Sequence, residues 1–291
     1  IKSQSDFILF LKQYVDAVFK NNYNLYFLEP VFNPTKLFNY DDSFNNHNVI
    51  KIDLDFKYTY DPKLEKTNKE IMLKHKYTKK QIKTIINLYF TELAKYVNLN
   101  DDITFANSHD KIVDGLEVYL MERPTAYINT RKDTKLVKDG VHILVPHFVF
   151  PVQILHKVRK DLLDNERFVE VIDEIGQLNS TNDVLDESVI SKNAWFLYGS
   201  GKPFSEPYLV STVYKFKEIK DDEYKFSKVK DLEKITENKS DLVFKLSNFG
   251  INQTVKPIND SVLDKLESEF SITRSGDSEK FSKILGINNG L

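Results

Sequence analysis

There is no cysteine anywhere in the 291 residues, so disulfide staples and thiolate-held zinc are both excluded and a reducing intracellular setting is the natural expectation. No apolar run comes near the roughly 18 consecutive residues of a membrane span. Ile1-Lys-Ser-Gln-Ser5 has neither the charged start nor the apolar stretch of a secretory leader. A surplus of one charge is missing too, with 41 Lys and Arg against 43 Asp and Glu for a net charge of −2. Overall charge therefore advertises no polyanionic partner, and any grip on nucleic acid must come from a local patch. The chain begins without Met, which leads us to expect a piece of something longer.

A hydrophobic content of 41% is enough for a substantial core in one large or two modest domains. The stretch around which the chemistry can be arranged is Asn48-Val-Ile-Lys-Ile-Asp-Leu-Asp-Phe56. Val49, Ile50, Ile52, Leu54 and Phe56 make it a strand buried on at least one side. Residues two apart in a strand share a face about 6.6 Å apart, so Asp53 and Asp55 project together. Paired carboxylates on such a strand repel and carry a desolvation cost unless a cation sits between them, and all-oxygen donors suit Mg²⁺ or Mn²⁺. An edge strand with one solvated face would explain the pair equally well.

In chain order, Ser5 or Asp6 can cap a helix whose apolar stripe is Phe7, Leu11, Tyr14, Val15, Val18 and Phe19. Residues 23–28 suggest a short aromatic strand, and Pro30 and Pro34 break the next stretch into loop. Residues 58–76 read as an exposed excursion opened by Pro62. Thr78 and Gln81 form a capping box for a helix with Ile82, Ile85, Ile86, Tyr89, Phe90 and Leu93 on its inner face. Strands are expected over 103–106 and 116–121, followed by Glu122-Arg123-Pro124, which reads as a surface ion pair. Residues 130–138 hold Arg131, Lys132, Lys135 and Lys138 against Asp133 alone.

That basic run leads into Lys138-Asp-Gly-Val-His-Ile-Leu-Val-Pro146, a buried strand that Pro146 should end. Alternation puts Lys138, Gly140 and His142 on one face, where two donors flank a place at which an anion could approach the backbone. Pro151 opens a helix through Ile154, Leu155, Val158 and Leu162, with His156, Lys157, Arg159 and Lys160 largely off its stripe. Phe168, Val171, Ile172 and Ile175 make another, closed by Gly176. Further on, Leu185-Asp186 could close the acidic site from a neighbouring element. Trp195 to Tyr198 reads as a strand into Gly199-Ser-Gly-Lys202. That turn is not a nucleotide-binding P-loop, because Phe196 stands where a Gly is needed and Pro203 where a Ser or Thr is needed. Residues 208–216 form one more strand. Beyond them, 217–240 is dense in alternating charge and reads as exposed helix or loop, 241–249 as a strand, 261–270 as a capped helix and 271–278 as a linker.

Three features in order now stand out: the Asp53-x-Asp55 strand, the Gly140-x-His142 strand with Lys138 two residues before it, and the later Leu185-Asp186. Together they resemble the archaeo-eukaryotic primase superfamily, and the phrases around Lys138 and Trp195 are similar to its branch at the front of primase-helicases of large nucleocytoplasmic DNA viruses. The resemblance covers roughly residues 1–216. It implies an α+β fold with an RRM-like palm sheet and an additional N-terminal α/β module, and leaves 217–291 as an accessory region or a lead-in to a helicase part. It implies template-directed nucleotidyl transfer from nucleoside triphosphates on single-stranded DNA, inside an infected host cell or virion. Asp53, Asp55 and Asp186 would hold Mg²⁺ or Mn²⁺, and Lys138, Gly140, His142, Ser200 and Lys202 would face the triphosphate. Arg131, Lys132, Lys135, Lys157, Arg159 and Lys160 are the candidates for template contact, with Trp195 available for stacking. A non-catalytic nucleic-acid scaffold and a metal-dependent nuclease are the competing functions.

Overall fold

The computed structural model describes residues 4–29, 47–97, 99, 104–106, 112–114, 116–130, 134–203, 205–248, 253–254 and 266. In chain order these form α1 (Gln4–Val15), a π-helical turn (Asp16–Lys20), β1 (Leu28–Glu29), β2 (His47–Thr59), α2 (Pro62–Thr67), α3 (Lys69–Met72), α4 (Lys79–Leu93), β3 (Thr104–Ala106), β4 (Ile112–Asp114), β5 (Glu117–Glu122), β6 (Tyr127–Asn129) and β7 (Leu136–Pro151). The chain continues with α5 (Val152–Asp164), α6 (Glu166–Asp173), α7 (Thr181–Val184), α8 (Ser188–Ser191), β8 (Trp195–Phe196), β9 (Leu209–Lys220), β10 (Glu223–Lys228), α9 (Leu232–Glu237), α10 (Lys239–Lys245) and β11 (Gln253–Thr254).

The architecture is α+β, as expected, and β7 is its spine. One edge of β7 carries β2 along nearly its whole length; the other carries β6, β5 and β11 in succession, and β9 and β10 extend the sheet beyond β5. Apart from the short parallel β7–β11 contact, every pairing is antiparallel.

Alternation along β2 decides which face does what. Ile50, Ile52, Leu54, Phe56 and Tyr58 are all at most 2% exposed. They pack in the larger core with Ile82, Ile85, Ile86 and Phe90 of α4 and with Ile154, Leu155, Val158 and Leu162 of α5. The helix α4 starts where its capping box says it should, with Thr78 and Gln81 closing on each other's backbone. The intervening residues Lys51, Asp53, Asp55 and Lys57 face the opposite side of the sheet. That side has a smaller core, in which Tyr14, Val15 and Val18, the β8 region and Leu242, Val243 and Leu246 pack on Tyr119, Met121, Leu144 and Val213. Among the described residues, α4 and α5 pack on one face, and the cover of the other leaves Asp53 and Asp55 lining a cavity.

Several expectations are corrected. Pro146 does not end its strand. The pairing of β2 jumps from Asn48↔Phe150 to Ile50↔Val145, so Pro146 falls in a stretch with no β2 partner and its missing N–H costs no ladder bond there. Residues 217–228 are neither helix nor loop: β9 runs through Phe216 to Lys220 and turns back as β10. Asp221 and Asp222 take φ of 52° and 58° at the turn, the geometry a tight hairpin requires. Tyr224 and Phe226 then point inward, 6% and 1% exposed. Residues 239–245 are helix α10 rather than strand, capped by Asn238 at the amides of Ser240 and Asp241. The aromatic strand expected over 23–28 reduces to Leu28–Glu29. Ser5 and Asp6 lie inside α1 rather than capping it, and the exposed excursion after β2 contains the short helices α2 and α3. The helix expected over 261–270 and the linker after it lie outside the described residues, apart from Leu266.

Candidate active site

The register of β2 on β7 sets Asp53 opposite His142, Asp55 opposite Gly140 and Lys57 opposite Lys138. Directly paired residues share a face, so the two acids and the Lys-x-Gly-x-His row meet on the less covered side. Asp186 arrives from a separate element and is fixed by backbone. Its amide donates to the Asp53 carbonyl at 3.0 Å, next to the bridge between Leu54 and Leu185. The segment before it is laced to β2. The Asn179 side chain donates to the Asp55 carbonyl at 2.8 Å and accepts from the Lys57 amide at 2.9 Å. Arg159 holds the loop from the other side, donating through Nε to the Leu185 carbonyl at 2.9 Å and through Nη2 to the Asn182 carbonyl at 2.9 Å. The three acids expected to act together are therefore neighbours.

They line a cavity of about 310 Å³ together with Arg123, Tyr127, His142, Trp195, Lys202 and Tyr208. Lys138, beside the cavity rather than in its lining, donates through Nζ to Asp55 Oδ2 at 3.3 Å, and within it His142 Nε2 lies 3.6 Å from Asp53 Oδ1. That oxygen is buried without a hydrogen bond. Burial, then the charges of Asp55 and Asp186, push the Asp53 carboxyl well above its ordinary value, with Lys202 and Lys138 opposing. His142 is pushed down to about 3 by burial and by the nearby Arg123 and Lys202, so the imidazole is neutral at physiological pH. Its ring is stacked on Tyr208 with centroids 3.6 Å apart and tilted against Trp195 at 4.5 Å.

The donor set fits a hard divalent cation. Three carboxylates on rigid backbone, one with a buried oxygen that has no partner, are what oxygen-seeking Mg²⁺ or Mn²⁺ would relieve. Among the described residues no three His, Cys, Asp or Glu side chains are drawn close enough to cage an ion as they stand. Asp186 accepts from the amide and hydroxyl of Ser188 at 2.9 and 2.8 Å, so the pocket presents ligands rather than a closed shell.

Arg123 is the residue that the sequence reading missed. Glu122 does not pair with it; Glu122 is taken up by Lys79, Tyr77 and Ser211. Strand alternation sends Arg123 to the other face, where its guanidinium lies 4.5 Å from the Tyr208 ring and 4.7 Å from the Tyr127 ring. Its Nε is buried with no hydrogen bond, and among the described residues no carboxylate pairs with it. The usable signal was parity: Tyr119, Met121 and Arg123 alternate, and Met121 is paired with His142. Tyr208, read only as the start of a strand, is the second omission.

The remaining candidates separate. Gly140 does not leave the backbone open to an anion, because the Tyr208 hydroxyl lies 2.7 Å from where its Cβ would be. Ser200 is 3% exposed, does not line the cavity, and gives its hydroxyl to the carbonyls of Phe27 and Leu197 at 2.7 and 2.8 Å. It shapes the turn that presents Lys202. Lys157 pairs with Asp161, Arg159 holds the Asp186 loop, and His156 is buried rather than off the stripe. Lys135 lies over the Tyr60 ring at 4.9 Å and Lys160 is exposed. Arg131 and Lys132 lie outside the described residues.

Carboxylates from two elements thus face cations and a neutral imidazole on a largely antiparallel sheet. Residues 3–214 match the model of the C962R protein N-terminal AEP domain, and the chain belongs to that family of archaeo-eukaryotic primase domains. It is similar to a protein of Acanthamoeba polyphaga mimivirus named putative helicase L207/L206, 27% identical over 139 residues. The matched stretch is 47% of this chain and spans only 13% of that relative's length. No helix among the described residues is long and apolar enough to cross a membrane.

Proposed function

We propose that this domain is a primase or primer-extending polymerase, joining nucleoside triphosphates on a single-stranded DNA template during viral genome replication. The observation that carries the reading is the Asp186 amide bonded to the Asp53 carbonyl, which brings a third acid from more than a hundred residues away onto the Asp53-x-Asp55 strand, across from Lys138 and Lys202.

In the reaction the 3′-hydroxyl oxygen of one nucleotide bonds to the α-phosphorus of the next as the bond to pyrophosphate breaks. Asp53, Asp55 and Asp186 would hold divalent ions, Mg²⁺ or Mn²⁺, whose chemistry is to lower the hydroxyl pKa and to stabilise the departing oxygen. The protein's own groups do the rest. Lys138, Lys202 and Arg123 offset the triphosphate charge, and His142, held neutral, contributes a hydrogen bond without adding to it. Tyr208 and Trp195 fix the imidazole plane. The mimivirus relative is named putative helicase and is far longer than the matched stretch, which supports placing this domain beside a helicase in one polypeptide.

Incubation with single-stranded template, triphosphates and Mg²⁺ or Mn²⁺, with and without primer, tests the reading. Primer-free product marks a primase and primer-dependent product a polymerase. Shortened template would instead mark a nuclease, and strand binding without product a scaffold. Asp53→Asn should abolish incorporation while leaving the thermal midpoint near or above that of the parent, because it removes a half-buried carboxyl crowded by Asp55 and Asp186. Near-normal extension by that variant would reject the assignment, and chelation by EDTA should silence the parent protein in the same assay.

A further inference from the structure

A second and larger cavity, about 610 Å³, lies behind the acidic pocket and is lined by Phe19, Asn22, Tyr23, Asn24, Ser205 and Glu206 among others. The two cavities share a wall. The Leu25 carbonyl accepts from the Gly201 amide at 3.0 Å, the Phe27 carbonyl from the Leu197 amide at 3.1 Å, and Asn24 donates to the Ser205 carbonyl at 3.3 Å. Residues 24, 25 and 27 thus run beside 205, 201 and 197, with Tyr23, Asn24 and Glu206 turned to the rear cavity and Tyr26, Leu28 and Lys202 to the acidic one.

We propose that the rear cavity receives one unpaired base of the single-stranded template, with the strand crossing the shared wall to the acidic pocket; the inference rests on the nucleotidyltransferase reading above. The lining has the chemistry of a base and not of a phosphate: among the described residues no Lys or Arg lines it, Lys239 reaching only the Phe19 ring with Nζ 5.8 Å from its centroid, and Glu206 would repel an anion. The Tyr23 ring is 61% exposed and among the described residues stacks on nothing, which leaves a free face for a base. Phe19 forms a rigid floor. It stacks on Tyr198 at 5.7 Å and fills the space beside Gly199, where a Cβ would meet its ring at 2.5 Å. Asn22 is held at φ 55°, a left-handed backbone unusual for a residue with a side chain and tolerated best by Asn, Asp and Gly. Its amide offers both a donor and an acceptor to a base edge.

The test is fluorescence anisotropy with a labelled oligodeoxythymidine in the absence of metal and triphosphate, run beside calorimetry with a free triphosphate and Mn²⁺. Tyr23→Ala should weaken strand binding by roughly five- to a hundredfold, the range for one lost base stack, and leave triphosphate binding unchanged, while Tyr23→Trp should bind the strand as tightly as the parent. Asn22→Gly accommodates the backbone angle and removes the side chain with its amide; it should change the ratio of affinities among homopolymeric strands. Equal strand affinity in Tyr23→Ala, or loss of triphosphate binding instead, overturns the proposal, as does an unchanged base ratio in Asn22→Gly. Because strand binding is read without catalysis, normal extension by Asp53→Asn would remove the nucleotidyl reading and leave this measurement standing.

Discussion

At position 140 a single missing side chain settles the neighbouring geometry. A Cβ there would lie 2.7 Å from the Tyr208 hydroxyl and 3.0 Å from the Leu54 carbonyl, and neither can retreat: the carbonyl belongs to β2, and the Tyr208 ring is pinned between His142 and Arg123. Gly140→Ala should therefore cost about 1–3 kcal/mol, the usual range for overpacking, read as a lower urea midpoint, and Tyr208→Phe in the same chain should recover part of it. Full tolerance of the alanine would show that the hydroxyl is not fixed where it stands. Arg123→Ala tests the other wall of the pocket. Losing a charged donor should weaken triphosphate binding roughly ten- to a hundredfold in calorimetry with little change in fold. The sequence made Asp53, Asp55, Lys138 and His142 legible because strand alternation alone groups them. Arg123 and Tyr208 were hidden because their place depends on which residues pair with β7, a tertiary fact. The Glu122-Arg123 dipeptide even pointed the wrong way, since the true partners of Glu122 are Lys79, Tyr77 and Ser211.

Among the elements, those with a strong local code were readable and those made by pairing were not. The helix α4 carries its own cap and stripe, and the turn that follows α6 closes at Gly176, φ 75°, whose amide donates to the Asp173 carbonyl at 3.0 Å. The β9–β10 hairpin has no Asn-Gly at its turn, so charge density concealed it, although Tyr224-x-Phe226 alternation was there to be counted. The link between α3 and α4 also carries a titrating tether. His75 Nδ1 lies 3.0 Å from both oxygens of Asp139, a carboxylate buried at 3%, and its Nε2 lies 3.2 Å from the Arg123 carbonyl. The hydrogen bond to Asp139 raises the His75 pKa above its usual 6.5, with burial opposing. A raised folded-state pKa means that the folded chain holds this proton more tightly than the unfolded chain. The contribution is fully present below about pH 6.5 and fades as pH rises through the folded-state value. The urea midpoint of the parent should accordingly drop between pH 5.5 and 8.5 by more than that of His75→Asn. Parallel pH curves for the two proteins would show that the tether does not couple to folding. Since Asp139 sits between Lys138 and Gly140, loss of the tether loosens the strand that carries Lys138 and His142.

For the molecule as a whole, the open question is where the folding unit ends. Composition changes after Phe216, and the match to the family ends at residue 214, both of which suggest a core that stops there. The packing argues otherwise. Strand β9 crosses residue 216 without a break and is covered at its outer edge by β10; Tyr224 and Phe226 belong to the larger core. Leu242, Val243 and Leu246, at most 4% exposed, close the smaller core over Tyr119 and Met121. Lys245 of α10 also donates to Glu117 of β5 at 2.6 Å. A chain cut after residue 216 would strip five large buried side chains and expose β9 as an unpaired edge, each lost residue worth roughly 1.5–3 kcal/mol of burial. That sum, about 7.5–15 kcal/mol, is as large as the 5–15 kcal/mol by which a typical domain is stable. The expected outcome is that residues 1–216 aggregate or give no cooperative melting transition, whereas residues 1–254 melt cooperatively, followed by circular dichroism and by hydrogen exchange in β5. A shorter chain that melts as sharply as the longer one would place the end of the domain at residue 216 and make the hairpin and the two helices after it an appendage.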